Sequence, residues 1–203
     1  MPLITTAKHR DAALAGGAIA AAFADDPVNQ WVFGRGRMTP TFVALARHLY
    51  LKHGFGHLAG DGMAVRGQAR DGAALWLMDA RDKEAGLLAT LRVASVLGIT
   101  AGLGAMRRGL AIDKAFTHAH PAEHHAFLFA IGVVPTAQGK GVGGALLRAG
   151  LERVDAAHLP CYLESTKQSN VPLYRHFGFE ELPMIELPPG CPPIWPMWRS
   201  AKR

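Results

Sequence analysis

Apolar positions recur along the chain in two rhythms, and each rhythm predicts a different element. Phe42, Leu45, Ala46 and Leu49 step by three and four, so Pro40 to His53 reads as a helix. Asp11 to Ala24 reads as an amphipathic first helix, stopped by Asp25-Asp26-Pro27. Leu3–Thr6, Phe55–Leu58, Met63–Gln68 and Ala73–Met78 read as strands, with Asp71-Gly72 as a hairpin turn between the last two. Asn29 to Arg37 reads as a loop carrying Trp31 and Phe33. Asp82 to Phe116 is a long helical stretch that its glycines should break into two or more helices. His124–Val134 is the strongest strand pattern, followed by a helix over Leu146–Ala157, a strand over Tyr162–Ser165, a short helix over Val171–Phe177 and a strand over Phe179–Leu187. This order implies one α/β (α+β) domain across residues 1–203, with a helical insertion at 82–116 and a core at 124–187.

Composition narrows the picture. With 49% hydrophobic and 19% charged residues the chain can bury a sizeable core, which excludes wholesale disorder. Two cysteines, Cys161 and Cys191, cannot build a disulfide framework, so a reducing, cytoplasmic setting is expected. The net charge of +6 favours an anionic partner: nucleic acid, acidic lipid or a phosphate-bearing cofactor. Adjacent basic residues occur only as Arg107-Arg108 and Lys202-Arg203, so no nucleic-acid partner is expected and the charge is assigned to an acidic cofactor. The apolar run Ala85–Met106 is interrupted by Arg92 and contains Gly98, Gly102 and Gly104, so no membrane partner is expected. Asp11 and the Ala/Gly character of the Ala12–Ala24 run favour a folded helix over a secretion signal.

The informative segment is F-L-F-A-I-G-V-V-P-T-A-Q-G-K-G-V-G-G, from Phe127 to Gly144. A buried strand meets Pro135, a polar turn follows, and glycines open the next helix. Such a junction lets a backbone approach a ligand and leaves helix-start amides for an anion. A Walker loop is excluded because Lys140 is followed by Gly141 rather than Ser or Thr. A dinucleotide fingerprint matches literally at Gly139, Gly141 and Gly144, with Glu164 placed for a ribose. The strand-to-glycine turn is too long for it, and the surrounding βαβ units are missing.

The remaining pattern is Gln138, Gly141 and Gly143, in the form Gln/Arg-x-x-Gly-x-Gly/Ala. With C-Y-L-E-S-T, then Asn170, then L-Y-R-H-F-G-F, it resembles the GNAT superfamily of acetyl-CoA-dependent N-acetyltransferases. A-A-F-A-D-D-P, Y-L-E-S-T and E-L-P-P-G are most similar to the puromycin N-acetyltransferase group. The resemblance implies a central, mixed, mostly antiparallel twisted sheet flanked by helices. It also implies acetyl-CoA as cosubstrate, with pantetheine and acetyl carbonyl met by the backbone of Ile131, Gly132, Val133 and Val134. The pyrophosphate would meet Gln138, Gly139, Lys140, Gly141, Val142, Gly143 and Gly144, and Asn170 would lie on the CoA side. Tyr174 is the carried-over general acid. The general base stays open among His125, Glu164, His53, His57 and a water relay. His118, His120, His124 and His125 match no zinc spacing and read as solvated loop, so no metal is expected.

The expected activity is acetyl transfer to the primary amine of a small molecule, by a monomer or homodimer. A protein or peptide N-acetyltransferase and a non-catalytic acetyl-CoA-binding module are the alternatives. The apolar stretch 82–116 must pack on something. Placed over the cleft mouth, opposite Trp31, Phe33 and the Pro40–His53 helix, it would roof an acceptor pocket suited to a compact amine.

Overall fold

The computed structural model describes residues 2–60, 71–80 and 87–202, with no side-chain detail at 87 and 89. Seven strands form one mixed sheet in the order β1-β2-β3-β4-β5-β7-β6. They are β1 (Leu3–Ala7), β2 (Phe55–Gly60), β3 (Gly72–Leu77), β4 (Ala126–Val133), β5 (Cys161–Ser165), β6 (Glu180–Glu181) and β7 (Trp195–Arg199). Among the described residues only the β4–β5 pair is parallel. Helices α1 (Ala12–Ala22), α2 (Pro27–Phe33), α3 (Thr39–Leu45), α4 (Leu51–His53), α5 (Leu87–Ala101) and α6 (Leu103–Ala119) precede β4. Helices α7 (Val142–Ala156) and α8 (Val171–His176) follow it. Strand alternation divides the core. Leu75, Leu77, Phe127 and Tyr162 join a cluster with α1, α2 and α3, while Trp76, Leu128 and Leu163 join one with α7 and α8.

Several expectations are corrected. Asn29–Arg37 is not a loop, because α2 fills its first half. Asp26 caps that helix by accepting from the Asn29 amide at 2.8 Å, and Pro27 opens it, where a missing N–H costs nothing. Asp71-Gly72 is not the hairpin turn: Gly72 is already in β3, opposite Ala59. Met63–Gln68, expected as a strand, and 82–86 lie outside the described residues. The expected strand Phe179–Leu187 keeps only Glu180–Glu181, because Pro183 has no amide to feed a ladder. Its place beside β5 is taken by β7, which Pro196 hides from sequence reading. The long helical stretch breaks at Gly102, whose φ of 89° suits glycine, and α6 runs on past Phe116 to Ala119. A π turn over Ala46–Tyr50 joins α3 to α4, so Pro40–His53 is continuous helix of mixed pitch.

The first helix is not amphipathic. Ala12, Ala15, Gly16, Ala18, Ile19, Ala20 and Ala22 are all buried. A Cβ on Gly16 would stand 2.5 Å from the Val43 backbone nitrogen, and one on Gly132 would stand 2.7 Å from Ala22 Cβ. Helix α1 is thus held between α3 and the sheet by near contact of backbones. Gly16→Ala should cost about 1–3 kcal/mol by overpacking. Gly17→Ala, which meets nothing within 4 Å, should gain about 0.5–1 kcal/mol of helix propensity. Urea unfolding of the two variants checks the contrast.

Candidate functional site

Strands β4 and β5 pair only between Ala126–Leu128 and Cys161–Leu163, then part. On its other side β4 bulges: Leu75 faces Ala130 but Trp76 faces Leu128, so Phe129 is the extra residue. The gap between the parted strands continues into a cleft of about 480 Å³. Ile131, Gly132 and Val133 form one wall, and Thr166, Lys167, Ser169 and Asn170 the other. The Gln138–Gly144 loop lies below. Gly139 and Gly141 have φ of 74° and 77°, and an added Cβ at either would meet only open space. Left-handed backbone, not crowding, therefore requires glycine at both. Helix α7 begins at Val142 with no side-chain cap, so its first amides and the positive end of its dipole remain for a ligand. The Gln138 side-chain amide donates to the Val133 carbonyl at 3.0 Å and ties loop to strand.

One cleft thus gathers Ile131, Gly132, Val133, Gln138, Gly139, Gly141, Val142, Gly143, Gly144, Asn170 and Tyr174. An uncapped helix start behind open left-handed glycines is a fitting cradle for the phosphates of a CoA-type cosubstrate. Lys140 and Val134 fall outside it. The Lys140 ammonium turns back to the Thr136 carbonyl at 2.9 Å, and the Val134 amide donates to the Asp71 carbonyl at 2.9 Å. Gly132 is explained by the approach of α1 rather than by strand distortion.

Sequence reading missed the opposite rim. Phe23, Asp25 and Asp26 reach the cleft from the end of α1. Asp26 is buried and makes three contacts that tie α2 to the segment after β5: it caps α2, accepts from the Asn29 side chain at 2.8 Å, and accepts from the Thr166 hydroxyl. Lys167 pairs with Asp25 at 2.6 Å, and its hydrogen bond holds that carboxyl below its usual range. The available signal was Asp-Asp-Pro, where an N-capping acid precedes an N1 proline.

A second cavity, about 220 Å³, lies under α5 and α6. Its lining is mostly apolar, including Val32, Phe33, Phe42, Leu49, Val93 and Leu97, and one wall is the stacked pair Tyr50–Phe129 with ring centroids 3.9 Å apart. Phe129 is the bulged residue, and Tyr50 ends the π turn, so both irregularities shape this wall. Phe23 and Thr166 line both cavities, which are therefore neighbours. The described part of 82–116 covers this second cavity, and none of its residues lines the glycine-loop cleft over whose mouth it was expected. Arg108 fixes α6 to α2 by donating twice to the Val32 carbonyl, at 3.2 and 2.9 Å. Phe33 lines the cavity, whereas Trp31 turns towards Arg108.

The candidate catalytic groups separate. Tyr174 lines the cleft, 6% exposed, and burial pushes its phenol well above the ordinary range, so it stays protonated. Glu164 lines the apolar cavity. His125 lines neither cavity; it is 2% exposed and packs against Tyr162 and Trp198. It reaches Glu164 through His120, which sequence reading assigned to solvated loop. Nδ1 of His125 lies 2.5 Å from the Glu123 carbonyl, Nε2 lies 3.4 Å from His120 Nδ1, and His120 Nε2 lies 3.5 Å from Glu164 Oε1. The tautomers follow in order. A carbonyl only accepts, so His125 Nδ1 carries hydrogen and its Nε2 accepts from His120 Nδ1. His120 then turns Nε2 towards the Glu164 carboxylate, at ion-pair rather than hydrogen-bond distance. His53 is exposed, and His57 stacks edge-on with Phe55 on β2; neither lines the glycine-loop cleft or the apolar cavity. Among the described residues no group of three His, Cys, Asp or Glu could hold a metal.

Comparison with known proteins gives this arrangement its family. The model of the acetyltransferase (GNAT) domain matches residues 71–181, more than half of the chain. The chain belongs to the GNAT acetyltransferase family. Over 67 residues it is 37% identical to mycothiol acetyltransferase from Renibacterium salmoninarum, a stretch covering 30% of this chain and 20% of that protein. The match thus spans about a fifth of that curated relative. A histone acetyltransferase and related acetyltransferase from Corynebacterium glutamicum superposes with a TM-score of 0.72 at 25% identity, covering 100% of this chain and 97% of that one. Arylalkylamine N-acetyltransferase 2 from Aedes aegypti superposes with a TM-score of 0.66 at 12% identity, covering 99% of each chain, and shares the fold.

Burial depresses the basicity of both His125 and His57 below the ordinary histidine value of 6.5. Unfolded imidazoles protonate at the ordinary value while the folded ones lag. The stability these groups contribute is therefore complete above about pH 6.5 and is lost as pH falls through their lowered values. Urea midpoints should drop as pH is lowered below that value, and His57→Phe should make the slope shallower.

Proposed function

We propose that the chain transfers the acetyl group of acetyl-CoA to the primary amine of a compact, apolar small molecule. The observation that carries this reading is the shared wall at Phe23 and Thr166. It sets a roofed apolar cavity beside the glycine-loop cleft. Solved relatives include a histone acetyltransferase and an arylalkylamine N-acetyltransferase, so the fold serves protein tails and small amines alike. A protein tail needs an open groove, and 220 Å³ beneath two helices is below the usual drug-sized pocket. The finer likeness to the puromycin N-acetyltransferase group rests on its quoted motifs alone.

Acetyl-CoA supplies an activated acyl carbonyl and a thiolate leaving group. The amides of Gly139 to Gly144 and the start of α7 hold its phosphates, and the parted β4 backbone at Ile131–Val133 takes the arm and carbonyl. Glu164 orients the amine in the apolar cavity and accepts its proton as nitrogen attacks. The His120 ring, itself held by His125, faces that carboxylate and helps keep it in place. Tyr174 donates to the departing sulfur. Its raised phenol value makes complete transfer to a thiolate of pKa ~8.5 uphill, so its contribution lies at the low end of acid catalysis.

Tyr174→Phe should lower kcat by roughly 10²-fold or less while calorimetry with CoA shows little change. Glu164→Gln, nearly isosteric, should lower kcat by roughly 10²–10⁴-fold and likewise spare CoA affinity. The substrate reading is decided by kinetics on two acceptor classes. Apolar primary amines should exceed histone-like peptides in kcat/KM, and the reverse order would replace the small-molecule reading with the protein-acetylating one.

A further inference from the structure

The positive charge of this protein is not spread evenly, and it is not at the glycine loop. Residues 28–60 and 87–112 contain seven of the 22 basic residues and none of the 16 acidic ones; elsewhere acids outnumber bases by one. In the fold these two segments come together, since α3 packs on α5 and α2 on α6. At the α5–α6 turn the contact is direct. The Arg37 amide meets the Thr100 carbonyl at 3.4 Å, and Gly36 sits so close to Ala101 that an added Cβ would stand 2.3 Å from its methyl. Arg35 and Arg37 thus flank the turn and are exposed, and Arg107 is exposed one helical turn beyond it. Farther along α5, Arg92 acts electrostatically on His48 together with Arg47 and Lys52.

Within this basic collar the turn itself is apolar and bare. Ile99 is 84% exposed and Leu103 66%. Two large aliphatic side chains exposed together at one turn cost solubility and serve nothing inside the fold. We propose that the α5–α6 turn, with its collar of Arg35, Arg37, Arg92 and Arg107, docks this protein on an anionic lipid bilayer surface. Ile99 and Leu103 enter the interface, and the guanidinium groups meet acidic headgroups. This is surface docking: among the described residues no helix is long and apolar enough to cross a membrane. Pairing of two copies through this face would set basic turn against basic turn, and like charges repel. A nucleic acid would match the arginines but has no use for Ile99 and Leu103, since phosphates offer no apolar contact and bases stack on aromatic rings. The earlier assignment of the whole positive charge to the cosubstrate is therefore revised.

The test uses the full chain and vesicles of phosphatidylcholine alone or mixed in equal parts with phosphatidylserine. Sedimentation should show binding to the mixed vesicles and little to phosphatidylcholine, with binding weakened by added salt. Ile99→Asp combined with Leu103→Asp should abolish it without lowering the thermal midpoint or CoA affinity. Arg37→Gln and Arg107→Gln should each weaken it roughly fivefold. Failure of the wild-type protein to bind mixed vesicles would overturn the proposal. So would unchanged binding by the aspartate variant, a DNA mobility shift that outcompetes the vesicles, or self-association abolished by the aspartate pair. None of these readouts depends on turnover, so the docking proposal and the acetyltransfer proposal stand or fall separately.

Discussion

The passage of α1 between the sheet and α3 is the constraint on which the site depends. Its backbone nears Gly132 on one side and the Val43 backbone on the other, a spacing that side chains at Gly16 and Gly132 would forbid. An alanine-rich helix with almost no outward face is the price of that approach. In return the chain leaves α1 at a fixed point, and Phe23, Asp25 and Asp26 arrive at the rim of the cleft. Asp26 then joins α2 to the segment after β5, so the two cavities share a rigid wall.

The local elements were legible where period and capping act within a few residues. The strand before the glycine loop, the helix after it and the helices α5 and α6 follow from spacing and glycine breaks alone. The misreadings share a cause. In α2 the aromatics Trp31 and Phe33 and the nearby glycines suggested a loop, although Asp26-Pro27 is a helix start. In β7 a proline inside W-P-M-W-R disguised a strand whose partners on β5 and β6 lie 30–38 and 16–18 residues earlier in the chain. Such pairing is a tertiary fact and leaves no local period.

The candidate site shows the same division. The glycine loop, Asn170 and Tyr174 could be placed together because a motif fixes their separations. His120 could not, since it is brought to Glu164 by the end of α6, an element with no spacing rule relative to β5. His125 looked like a terminal histidine of a loop and is instead the anchor of a tautomer chain. A buried histidine's role is set by which of its nitrogens has a carbonyl beside it, and that is invisible until the chain is folded. The distribution of charge was likewise present in the sequence, but its concentration on one face needed the packing of α3 against α5.

The short ladder between β4 and β5 has a consequence for how the molecule holds together. Three residue pairs join the first four strands to the last three, and beyond them the strands diverge. Across the rest of that seam, cohesion passes through side chains: Arg199, only 4% exposed, grips Asp155 at 2.6 and 3.0 Å, and α7 lies across β2, β3 and β4. Mechanically the sheet is two plates on a narrow hinge, with a helix as the brace. Motions that open the seam need to break few backbone bonds, which places the softest coordinate of the fold along the line where the reacting groups must meet.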